Sequence, residues 1–111
     1  MITKQKAKEL IKKNFKGKAA DGHTCFYSMA CGRRCVIGCF IPDDHVALGI
    51  ADDVLGLLAE YPDLLKHMPS RHYRELLDLQ KVHDNINPTC ESVWAQRQKL
   101  LAAIDNLQGG N

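Results

Sequence analysis

Hydrophobic positions at the start of the chain recur at helical spacing. Ala7, Leu10, Ile11 and Phe15 fall on one stripe, and lysines fill the remaining arc. Thr3 is a suitable N-cap, with Ile2 before it and Ala7 at the fourth helical position, the arrangement of a hydrophobic staple. Gly17 is the stop signal. The pattern predicts a basic amphipathic helix over residues 1–17 and a loop over 18–22.

The period then changes. His23 to Met29 and Cys35 to Ile41 are rich in aromatic, β-branched and cysteine residues, with Ala-Cys-Gly-Arg-Arg between them and Pro42 behind. They predict a β-hairpin over residues 23–41. If Met29 pairs with Cys35, Cys25 stands opposite Cys39 and Tyr27 opposite Ile37. A slip of one residue sends the two cysteines to opposite faces, and the sequence does not choose between the registers.

Residues 43–107 read as helical. Asp43 and Asp44 open a short turn that Gly49 interrupts, and a helix from about Asp52 to Glu60 ends at Tyr61-Pro62. Ser70 is placed to cap the next, with Tyr73, Leu76, Leu77 and Gln80 inward and His83 a turn beyond. Asn87-Pro88 breaks the chain, Thr89 caps a last helix, and Val93, Trp94, Leu100, Leu101, Ile104 and Leu107 form its apolar stripe. The fold expected is α+β: one N-terminal amphipathic helix, one β-hairpin, and three or four helices packed on it. At 111 residues this is one domain, 1–111.

Composition adds a compartment. The run Cys35 to Ile41 is the longest nearly apolar stretch, far below the roughly 20 residues a membrane-spanning helix needs. Met-Ile-Thr-Lys-Gln-Lys carries charge without an apolar segment behind it, so no signal peptide is expected. Five cysteines, an odd number, suit a reducing compartment. The expectation is a cytoplasmic protein, in the cytoplasm of a bacterial host.

Charge is polarised more than the net value of +2 suggests. Residues 1–18 hold seven lysines against Glu9, while residues 43–65 hold six acids and no lysine or arginine. Lys4, Lys8, Lys12 and Lys16 form a ridge at four-residue spacing, and Arg33, Arg34, Asp52 and Asp53 add charge elsewhere. These eight are the candidate partner-binding residues, with a protein target first and nucleic acid or a nucleotide behind it. The two charged blocks can instead face each other, within one chain or across a homodimer.

Chemistry is sparser. Cys25, Cys31, Cys35 and Cys39 are too widely spaced for a compact zinc knuckle. Residues four apart on a strand lie about 13 Å from each other, so no metal and no cofactor is expected. Cys31, beside Gly32, Arg33 and Arg34, is the thiol whose surroundings favour a thiolate. His83 is the best base candidate, but Asp84 orients it poorly because adjacent helical residues diverge. Asp43/Asp44 and Asp52/Asp53 read as helix N-termini rather than acid–base pairs. No glycine-rich phosphate loop and no nucleophile or metalloprotease motif is present. Aromatic residues to interleave with the lysines are scarce, since Phe15 belongs to the apolar stripe. Catalytic residues are therefore not assigned, and binding is favoured over enzyme action.

Cys25-x-Tyr27, then Cys35-Val-Ile-Gly-Cys-Phe-Ile-Pro-Asp43, then Leu79-Gln80-x-x-His83-Asp84 and Trp94, resembles a group of small uncharacterised phage and prophage proteins. The likeness spans roughly residues 25–104. It implies an origin and a fold more than an activity, and marks Cys25, Tyr27, Cys35, Gly38, Pro42, Asp43, His83 and Asp84. Cys31 and Arg33-Arg34 fall in a turn that varies in that group, and His45 stands where its pattern carries tyrosine. Cys25, Tyr27 and Cys35 on the hairpin, with Asp43 and His83, form the candidate ligand pocket.

Three function classes follow. The first is a phage accessory protein that binds and inhibits a bacterial host or defence protein, in the anti-defence, anti-CRISPR manner. The second sequesters a small molecule or nucleotide, or acts on it through a thiol, using the hairpin and His83. The third is a nucleic-acid-binding regulator using the lysine-rich helix.

Overall fold

The computed structural model describes residues 1–17, 36–49, 54–87 and 90–107. Among these residues are four α-helices: α1 (Lys4–Asn14), α2 (Val54–Glu60), α3 (Tyr73–Asp84) and α4 (Val93–Asp105). Three short 3-10 segments, Ile37–Phe40, Val46–Gly49 and Pro62–His67, connect them.

α1 forms as its sequence dictates. The Thr3 hydroxyl accepts the Lys6 N–H at 3.1 Å, satisfying one of the donors that every helix start leaves open. Ala7 and Ile11 are buried, and Phe15 follows them just past the helix end. Gly17 has φ +105°, a conformation that only glycine adopts without strain, so the chain turns away there.

The expected α+β fold is overturned, because no strand occurs among the described residues. Residues Ile37–Phe40, assigned above to the second strand of the hairpin, form a 3-10 turn. The Cys39 N–H bonds the Val36 carbonyl, and the Ile41 N–H bonds the Gly38 carbonyl, both at 3.2 Å. The reason lies in burial. Every residue from Val36 to Ile41 is buried, so there is no alternation between a core face and a solvent face for a strand to exploit. A short apolar run bounded by proline does not distinguish strand from buried turn, and tertiary packing decides. Asn14 reaches across from α1, its side-chain amide donating to the Cys39 carbonyl at 2.9 Å. The first expected strand, residues 23–29, and the turn through Cys35 lie outside the described residues.

Two helix faces also differ from expectation. On α3 the buried positions are Leu76, Leu79, Gln80 and His83, while Tyr73 is exposed and Leu77 only partly covered. Its N-cap is His72, and Ser70 acts from two residues earlier. The Ser70 hydroxyl accepts the His72 N–H at 3.1 Å and donates to Glu75 at 2.6 Å. On α4, Ser92 is the cap, accepting the Ala95 N–H at 3.1 Å. The expected cap, Thr89, lies outside the described residues. Leu100, Leu101, Ile104 and Leu107 are buried as expected, but Val93 and Trp94 are exposed.

One core joins these pieces, with α1, α3 and α4 and the turn Ile37–Phe40 closing around Phe15, Ile37, Leu76, Leu79, Leu100 and Ile104. Each such side chain contributes roughly 1.5–3 kcal/mol when fully buried, so these few contacts outweigh the β propensity of residues 35–41. None of the helices is long and apolar enough to cross a membrane, among the described residues.

Candidate functional site

α1 and α4 run antiparallel, and four contacts set their register. At one end the Lys4 ammonium donates to the Asp105 carbonyl at 3.1 Å and Lys8 donates to the Asp105 carboxylate at 2.7 Å. Just past the end of α1, Arg97 Nη2 donates to the Phe15 carbonyl at 3.0 Å. At the other end Gly17 lies so close to α4 that a Cβ there would sit 3.1 Å from Val93 Cγ2.

The lysine ridge is therefore divided. Lys4 and Lys8 are tied to the last turn of α4, where a cation also meets the negative end of the helix dipole. Lys12 and Lys16 are exposed further along, and the ion pairs of the described residues do not include them. Trp94, the chain neighbour of the Val93 that lies against Gly17, is 67% exposed in a helix whose inward leucines and isoleucine are buried. Pattern reading placed Trp94 in the core stripe because it is large and apolar. The signal against that lay in the angle: Trp94 is about 120° round the helix from Leu100's line, at the edge of the buried arc.

A polar cluster lies beneath the end of α1. His83 is 7% exposed and meets the Phe15 ring edge-on, with centroids 6.2 Å apart. Its Nδ1 stands 3.4 Å from the Asp84 carboxylate, the outer limit of a hydrogen bond, and Asp84 also accepts from Gln80 at 3.2 Å. Gln96, buried, donates to the Glu91 carbonyl at 2.9 Å, and Lys99 pairs with the Glu91 carboxylate. Phe15 links the two sides of this cluster, its ring on His83 and its carbonyl on Arg97.

Of the expected pocket residues, Cys25, Tyr27 and Cys35 lie outside the described residues. Asp43 is exposed and borders an open recess of about 220 Å³ with Ile2, Leu10, Phe40 and His67. His83 is not part of that wall. Among the partner candidates, Arg33, Arg34, Asp52 and Asp53 lie outside the described residues, as does Cys31. A second open recess of about 210 Å³, between α3 and α4, has Leu79, Val82 and Leu107 in its wall with Glu75 and Asp78 at its rim. No group of three or more histidine, cysteine or acidic side chains converges as a metal would require, among the described residues.

A histidine that sequence reading noted only as a departure has the best-formed hydrogen bonds. His45 Nδ1 accepts the Ala47 N–H at 3.0 Å, so the ring proton sits on Nε2, which meets Asp63 at 3.0 Å. This bond holds the Asp63 carboxyl below its usual value. The ring also packs edge-on against Tyr61, with centroids 5.4 Å apart. A catalytic dyad needs the second imidazole nitrogen turned to a substrate, and here the backbone occupies it. The pair fastens the segment after Pro42 to the start of Pro62–His67.

Against family models, curated proteins and solved structures, the chain shows no match.

Proposed function

We propose that this protein acts by binding a macromolecular partner rather than by catalysis, docking through the α1–α4 face. The target class that fits the sequence reading is a bacterial host or defence protein or assembly, which the protein occupies and inhibits as a small phage-type accessory protein. One observation carries the reading: Trp94 is 67% exposed on a well-capped helix whose start lies against Gly17, and Lys12 and Lys16, in the segment leading to that glycine, face solvent. Tryptophan contributes more per residue to binding than almost any other side chain, and exposing it costs stability that a partner recovers.

Affinity capture from bacterial lysate tests the proposal. The full chain is compared with Trp94→Ala and with Lys12→Glu/Lys16→Glu, all three checked for equal melting. A partner held by the wild type and lost by both variants is the expected result. Retention by both variants would move the interface off this face and overturn the reading.

A further inference from the structure

We propose that the α1–α4 face binds single-stranded nucleic acid, with the Trp94 indole as stacking platform and Lys12 and Lys16 as phosphate contacts. This rests on the reading of the protein as a binding module and assigns the chemistry of its ligand.

The arrangement follows from helix geometry. Trp94, Gln98, Leu101 and Asp105 succeed one another at steps of four, three and four, so they form one stripe along α4. Asp105, at the far end of that stripe, is the residue that holds Lys4 and Lys8. Because α1 is antiparallel, moving from Lys8 to Lys12 leads away from Asp105 and toward the Val93–Trp94 end of α4, and Lys16 follows past the helix end, after the extended Phe15. Each step of four residues advances about 6 Å. At the top, Gly17 lies against Val93, so Lys16 and Trp94 are the chain neighbours of two residues in contact. Arg97, one turn on from Trp94, lies between the helices with its guanidinium on the Phe15 carbonyl. Three cations and one indole thus share this end of the face. Asp105 is occupied at the other end, and α1 itself carries one carboxylate, Glu9.

The combination selects a ligand. Lysines attract phosphate without reading sequence, and they do so for duplex and single strand alike. An open indole adds a demand that a duplex does not meet, since its base faces are stacked inside. An unpaired strand offers those faces, and base–aromatic stacking tolerates any base. A purely acidic polymer such as polyglutamate would satisfy the lysines but gives the indole no π-face. Here Ser92 and Gln98 are exposed next to Trp94, and neither recess described above includes it.

The chain has a single tryptophan, so its fluorescence reports this site alone. The full-length protein is titrated with a short oligothymidylate, with a duplex of equal length, and with polyglutamate, at low and at physiological salt. Expected are saturable quenching by the single strand, at least tenfold weaker binding of the duplex, and none of polyglutamate. Lys12→Glu/Lys16→Glu is expected to weaken the single strand more than tenfold, and to flatten the log–log salt slope by about 1.4. With a labelled strand read by anisotropy, Trp94→Ala is expected to weaken binding about tenfold. Absence of quenching at low salt, equal binding of duplex or polyglutamate, or unaltered binding by either variant would overturn the inference. If the strand fails to bind but Trp94→Ala still loses a protein partner in the capture experiment, the inference falls and the binding-module reading stands. Should capture also survive both variants, the reading falls with it.

Discussion

The Lys8 ammonium lies 2.7 Å from the Asp105 carboxylate, joining the first helix to the last turn of the final one across 97 positions of sequence. Lys8 is the more covered partner and Asp105 the more exposed. Ion pairs of this kind contribute about 0.2–1 kcal/mol and weaken as salt rises. Lys8→Glu is expected to lower stability by about that much, and somewhat more through like-charge repulsion. Lys8→Glu/Asp105→Lys is expected to recover most of the loss. Thermal melts at low and high salt decide it: a single variant as stable as wild type at both would leave the contact without energetic weight.

Where α1 ends, Gly17 is constrained twice. Its φ of +105° is costly for any L side chain, and a Cβ would meet Val93 at 3.1 Å. Gly17→Ala is expected to destabilise the fold by about 1–3 kcal/mol. Adding Val93→Ala should relieve the steric part and leave the backbone part. Urea unfolding of the two variants separates these contributions. A neutral Gly17→Ala would mean that the chain turns differently after Phe15.

His83 belongs to the core more than to a pocket. With 7% exposure and the Phe15 ring edge-on to it, His83→Ala removes packing and leaves polar neighbours less well satisfied. A loss of about 1–3 kcal/mol is expected. Partner capture by the folded variant should match wild type, because the ring faces inward from α3 while Lys12, Lys16 and Trp94 are exposed. Capture lost at a temperature where the variant is still folded would place His83 in the binding site.

Local signals made some of this legible and not the rest. The first helix was readable in detail, because its cap, apolar stripe and glycine stop are all encoded within residues 1–17. The three α-helices after residue 53 were readable too, within a few residues, because Tyr61-Pro62, Ser70 and Asn87-Pro88 punctuate them, whereas the 3-10 segment Pro62–His67 was not read. What failed was anything decided by contacts distant in sequence. Residues 36–41 look like a strand from composition, yet α1 and α3 bury the run on all sides and it coils. The lysine ridge was visible as a ridge, but its division at Asp105 depends on a residue 97 positions away. Trp94 was counted as core on size alone, although its angle on α4 sets it at the margin. The same mistake hid the candidate site, since an aromatic beside the lysines is what the sequence reading found wanting.

The pair His45–Asp63 gives the fold an acid-sensitive fastening. The hydrogen bond from His45 Nε2 is the main cause that lowers the Asp63 pKa below the ordinary 3.8. A carboxylate whose pKa is depressed by folding stabilises the native state only while it is ionised. That contribution is complete above the unfolded-state value and fades as pH falls through the native one. The sensitive window therefore opens just below pH 3.8 and extends downward. Asp63→Asn removes the titrating group, so its stability should fall less steeply than that of wild type on acidification through this window. At neutral pH the variant should be the less stable of the two, because the amide receives the imidazole N–H more weakly than a carboxylate does. His45→Gln in place of the partner should flatten the same stretch of the curve, and combining the two changes should add little to either. Melting curves taken every half unit of pH from neutral into the acid limb test this directly. Parallel curves for wild type and Asp63→Asn would show that the contact, although formed, does not couple protonation to folding.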